Sequence, residues 1–121
     1  MVTSRSTSGN RKYVAGVSIF SGRPDPTWPV SEEQASDLLR LFDASASYAD
    51  APPSAPPLGY RGAFLRDDAG NEWYAYRGVV AAKSVNSSAA RLDENRAFER
   101  ALLASAPQGS IPPGLLDKDL N

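Results

Sequence analysis

The sequence predicts a small α+β domain of two layers: an antiparallel sheet of three or four strands with two helices on one face, in the order β-α-β-β-α. Three observations carry this. The chain is 121 residues long, a length that supports one hydrophobic core. One segment has strong helical periodicity and a second a weaker one, and β-prone aromatic segments flank a short polar turn. No apolar run reaches the ~20 residues that span a bilayer.

Residues 1–12, rich in Ser, Thr and basic side chains, bury too little to offset the entropy of ordering and are expected to form a disordered tail. The single domain follows over 13–121. Its first strand is Tyr13 to Phe20, β-branched and aromatic. Next comes Ser21 to Pro29, whose three prolines each fix φ and hold the preceding residue extended, so a stiff loop is expected.

Ser31 and Gln34 have the spacing of a capping box, and Glu32 and Glu33 suit the positive end of a helix dipole. Ala35, Leu38, Leu39 and Phe42, widened by Leu41, form one apolar stripe, which places a helix over 32–44. Residues 45–58 hold Pro52, Pro53, Pro56 and Pro57 and read as a stiff proline-rich connection. Gly59 to Arg66 and Glu72 to Arg77 then form a hairpin around Asp67–Asn71.

A single Gly78 does not suggest an ordinary two-residue turn, so Val79 to Ala82 are expected to continue the same strand past a bulge, with a fourth strand as the alternative. Asn86 to Ser88 read as a polar break. Asp93 caps a second helix that buries Ala97, Phe98, Ala101 and Leu102 and ends near Pro107 and Gly109. Ile111, Leu115 and Leu116 would tie the C-terminus to the body.

Composition excludes several chemistries. The chain has no cysteine and no histidine, which removes disulfides, thiol nucleophiles, serine-histidine catalysis and the usual metal ligands. Neither GxGxxG nor GxxxxGK[ST] occurs, and the oxygens of Asp67, Asp68, Asn71 and Glu72 do not follow the EF-hand spacing. No metal and no cofactor is expected. Arg5, Arg11 and Lys12 lie in a first dozen residues without an acid, leaving residues 13–121 at −4 against a whole-chain charge of −1. That balance argues against a nucleic-acid partner. With no apolar leader or span, the expected location is cytoplasmic and away from the membrane.

The sequence therefore points to a non-enzymatic protein- or peptide-binding or adaptor module. Its partner is a protein or peptide, a second copy of the chain included. The candidate binding residues are Arg23, Asp25 and Trp28 in the proline-rich loop, and Arg61, Tyr74, Tyr76 and Arg77 on the hairpin. Gly22 and Arg23 allow close approach and planar hydrogen bonding, with Trp28 as an anchor; the alternative for Trp28 is a plug in the core. Alternation sets Glu72, Tyr74 and Tyr76 on one sheet face, and Trp73, Ala75 and Arg77 on the other. Two further functions compete. One is a small enzyme or enzyme subunit using carboxylates such as Asp25, Glu72 or Glu99. The other is single-stranded nucleic-acid binding on an open tyrosine face.

Overall fold

The structure is a computed structural model that describes residues 12–19, 25–50 and 60–109. The fold is α+β, built on one antiparallel sheet of six strands: β1 (Tyr13–Val17), β2 (Thr27–Val30), β3 (Ala63–Asp67), β4 (Glu72–Tyr76), β5 (Val79–Lys83) and β6 (Ser88–Leu92). They lie in the order β2-β1-β3-β4-β5-β6. Two helices, α1 (Glu32–Asp43) and α2 (Ala97–Ala104), complete the described fold. The proposed tail up to Arg11, the proline cluster of the connection and the C-terminal apolar residues lie outside the described residues.

The expected three or four strands become six for three local reasons. Thr27–Val30 is a strand and not part of a stiff loop, with Ala15 opposite Trp28 and Val14 opposite Pro29. Proline is tolerated there because β2 is an edge and Pro29 owes no hydrogen bond to a second neighbour. Val17 N–H donates to the Pro26 carbonyl at 3.2 Å, and Ile19 N–H to Asp25 Oδ1 at 2.9 Å, so the connection closes as a hairpin.

The expected bulge at Gly78 is instead a two-residue turn, because Arg77 adopts φ 48° beside Gly78 at φ 84°. Both central residues are left-handed, the geometry whose twist matches paired strands. The chain therefore reverses and Val79–Lys83 pairs with β4. The polar break is the turn of another hairpin, closed by Ser84 N–H on the Ser87 carbonyl at 2.8 Å, and Ser88 begins β6.

The helix α1 begins at the Ser31 and Gln34 capping box and buries Ala35, Leu38 and Phe42. Leu41, expected to widen that stripe, is exposed. The Arg91 guanidinium stacks on Phe42 and donates to the Ser45 carbonyl at 2.7 Å, fixing the end of α1 over β6. In α2, Phe98, Glu99, Leu102 and Leu103 are buried. Ala97, expected to face inward, is exposed.

Both helices pack on the sheet face that carries Ala15, Trp28, Leu65, Ala75 and Val80. A row of small and branched residues leaves room for two helices there. At the β6 edge, Tyr48 N–H donates to the Ala90 carbonyl at 2.9 Å, and Leu92 N–H to the Ala46 carbonyl at 2.8 Å. Among the described residues no helix is long and apolar enough to cross a membrane.

Candidate functional site

The most unusual backbone of the described chain gathers at the end of the sheet where β4 turns into β5. Asp93 N–H donates to the Gly78 carbonyl at 2.7 Å, tying the segment after β6 to that turn. A short 3-10 turn over Glu94–Arg96 follows, in which Asn95 (φ 57°) and Arg96 (φ 56°) are left-handed. With Arg77, these are the only non-glycine residues of positive φ among the described ones. Such backbone is costly for residues with a Cβ and persists where surrounding contacts over-determine it.

Those contacts form a polar chain beneath the turns. Glu99 is fully buried, and a buried carboxylate requires partners. Arg96 supplies two, donating through Nε to Oε1 at 2.9 Å and through Nη2 to Oε2 at 2.8 Å. The Tyr60 hydroxyl donates to Oε2 as well. The Tyr60 ring lies 6.2 Å from Tyr76, tilted by 48°. Arg77 then donates through Nε to the Tyr76 hydroxyl at 3.0 Å, with its guanidinium carbon 5.4 Å from the ring centre.

Burial pushes the Tyr60 phenol far above its ordinary value, and the Glu99 carboxylate pushes the same way. Tyr74 is also raised, first by burial and then by the neighbouring Tyr76. Its ring rests on Gly62, where a Cβ would approach to 2.8 Å of the phenol. Asp93 is raised by burial, which outweighs the backbone N–H groups of Phe98 and Glu99 that favour its charged form. Arg96 is held protonated still more firmly by its bond to Glu99.

Over this network lies a shallow, widely open cleft of about 590 Å³. Tyr48, Val79 and Leu92 contribute apolar side chains to its lining, and Arg77, Asp93, Glu94, Asn95 and Arg96 polar ones. Leu92 is 43% exposed, one of few large apolar side chains so open among the described residues. Arg96 lines the cleft, and its guanidinium holds the buried glutamate.

The sequence-predicted residues distribute unevenly around this site. Arg23 lies outside the described residues. Asp25 accepts the Ile19 amide in the β1–β2 connection. Trp28 is 2% exposed and donates from Nε1 to Ser105 Oγ at 2.8 Å, so its indole fills the core. Tyr76, which alternation sets on the face of Glu72 and Tyr74, is 4% exposed. Arg77 does not share the Trp73 face; it forms the turn and lines the cleft.

Arg61 and Tyr74 are half-buried beside the network, close enough that the guanidinium opposes the rise in the Tyr74 phenol. The carboxylate candidates are not brought together. Glu72 accepts from Arg66 Nε at 3.2 Å at the other end of β4, roughly 13 Å along the strand from Tyr76. No group of three acidic, histidine or cysteine side chains able to hold a metal occurs among the described residues.

Sequence reasoning missed Tyr48, Leu92, Asn95 and Arg96. Asn95 carried the one usable signal, since asparagine tolerates left-handed backbone better than most residues. No family model matches the chain, and no curated protein or solved structure shows significant similarity to it.

Proposed function

We propose that this chain is a non-enzymatic protein- or peptide-binding module whose partner docks at the end of the sheet, in the cleft between the β4–β5 turn and the Glu94–Arg96 turn. The observation that carries the proposal is the gathering of Arg77, Asn95 and Arg96, all left-handed, around one cleft. Backbone strain concentrated at one opening, away from the packed core, is characteristic of a site that must hold a fixed shape. The mixture of an exposed Leu92, an aromatic Tyr48 and a polar rim is the composition of a small interface centre.

Carboxylate catalysis draws on one observation, the buried Glu99. Both of its oxygens are engaged by Arg96 and Tyr60, and it does not line the cleft. Single-strand binding would require tyrosine rings open to stacking bases, and Tyr76 is buried.

The test is a random-peptide display selection on the immobilised chain, with the Leu92→Ser variant as counter-target. Leu92 is exposed enough that the variant keeps its fold, which circular dichroism checks. Enriched peptides that bind the wild type and lose affinity for the variant are the expected result. No enrichment, or peptides that bind both proteins equally, would overturn the cleft as the docking site.

A further inference from the structure

We infer that Asn86, at the tip of the β5–β6 hairpin, is a site of spontaneous covalent modification, its side-chain amide converted to a carboxylate through a cyclic imide with the Ser87 amide nitrogen. The inference stands apart from the cleft and from any partner. Water is the one co-reactant. The Ser87 nitrogen gives up its proton to solvent and attacks Asn86 Cγ; a C–N bond forms there, and the side-chain nitrogen takes a proton and leaves as ammonia. Water then opens the five-membered imide at either carbonyl, giving aspartate or isoaspartate, with no change in oxidation state.

Three conditions govern this reaction: a small following residue, an asparagine side chain that no bond holds, and a following amide that no backbone bond ties down. Asn86 meets all three. Asn86 and Ser87 are both exposed, and Val85 beside them is 81% exposed, so the tip stands in solvent. The turn is closed in one direction only. Ser84 N–H donates to the Ser87 carbonyl at 2.8 Å, while the Ser87 N–H donates to no backbone group among the described residues. The Ser87 hydroxyl pairs with Ser84 Oγ at 2.8 Å and not with Asn86.

The other two asparagines of the described residues fail on the same conditions. Asn71 is held twice by Asp67, through Nδ2 on Oδ2 at 2.8 Å and through its own N–H on Oδ1 at 2.9 Å. The amide that follows it belongs to Glu72, paired with Arg66 in the sheet. After Asn95, the Arg96 N–H donates to the Asp93 carbonyl at 2.9 Å, and the Arg96 side chain is fixed on Glu99. Reaction at either position waits for a local opening of bonded backbone, and at Asn86 it does not.

The product acts on the fold. Isoaspartate routes the main chain through the side-chain carbon and adds a methylene to a turn whose length sets the register of β6 on β5. That register places Lys83 opposite Ser88 and Val79 opposite Leu92.

The experiment is incubation of the full chain at mildly alkaline pH, followed by tryptic peptide mapping with mass spectrometry. Cleavage after lysine and arginine puts Asn71, Asn86 and Asn95 in separate peptides, 67–77, 84–91 and 92–96. The expected result is that peptide 84–91 exchanges NH2 for OH about tenfold faster than the other two, or more, because their backbone must open first. Fragmentation should find both aspartate and isoaspartate at position 86. The same incubation in guanidinium chloride should shrink the difference between the peptides, and Asn86→Gln, which would need a larger ring, should leave peptide 84–91 unmodified. Asn71 or Asn95 reacting as fast as Asn86 in the folded chain would overturn the inference. So would no product at Asn86 over the time in which the unfolded chain converts there, and aspartate without isoaspartate would overturn the imide route.

Discussion

Tyr60 and Trp28 show how single side chains divide between architecture and site. The Tyr60 hydroxyl donates to a fully buried Glu99, and removing one hydrogen bond to a buried charge costs about 1–3 kcal/mol. Tyr60→Phe should therefore lower the denaturant midpoint at neutral pH without unfolding the chain, since Arg96 still pairs with Glu99. The pH dependence follows from the direction of the shift. The folded phenol titrates above its ordinary value of 10.0, so its stabilisation is intact below that pH and is lost as pH rises beyond it. Equilibrium unfolding followed from neutral to strongly alkaline pH should show the wild type losing its advantage over Tyr60→Phe; a constant difference would contradict the placement. Trp28 is the opposite case. At 2% exposure, with its indole N–H on Ser105, Trp28→Ala should cost about 3–5 kcal/mol, read by chemical denaturation. The sequence left Trp28 between anchor and plug because the same indole suits both, and only the far end of α2 arriving at Ser105 decides its surroundings.

At the scale of elements, Asp93 carries more of α2 than its position suggests. It stands five and six residues before Phe98 and Glu99 yet accepts from both amides, doing across the Glu94–Arg96 turn what a capping side chain does for the early amides of a helix. Asp93→Ala should cost about 1–2 kcal/mol, measured by thermal or denaturant unfolding. Its folded carboxyl is raised above the ordinary value of 3.8 by burial. Its contribution is thus complete below that pH and declines as pH rises through the folded value. Asp93→Asn, which cannot titrate, should remove that decline, and the wild type should lose ground against it from acid toward neutral pH. Where an element is announced by local chemistry, the sequence was legible. Ser31 and Gln34 announce α1, the alternating aromatics announce β3 and β4, and Asp93 announces α2. The remaining strands depend on features with no local signature. β2 contains a proline that only an edge position permits. β5 follows a turn in which an arginine takes left-handed backbone, and β6 has alanines and serines whose pairing comes from β5. The cleft was illegible for the same reason, since Tyr48, Leu92 and Asn95 meet only once six strands are in order.

For the whole molecule, a six-stranded open sheet poses the problem of its two edges, because unpaired N–H and C=O groups recruit further strands. At β6 the edge is partly occupied from within, by Ala46 and Tyr48 bonding to Leu92 and Ala90. The β2 edge is blunted by chemistry instead. Val17 N–H bonds to the Pro26 carbonyl, and alternation along an antiparallel ladder then turns Trp28 and Val30 toward β1 and Thr27 and Pro29 outward. Of those two outward residues, Pro29 has no N–H, so the edge offers one donor where an ordinary strand would offer two. This disfavours self-association by strand addition at β2. Pro29→Val should restore the missing donor with a residue of high β propensity at an exposed position, so the fold should survive while the edge becomes competent to pair. Sedimentation velocity over a concentration series should then show the variant's mean mass rising toward a dimer at concentrations where the wild type's does not. If the two proteins sediment alike across the series, Pro29 is not what keeps this edge from pairing.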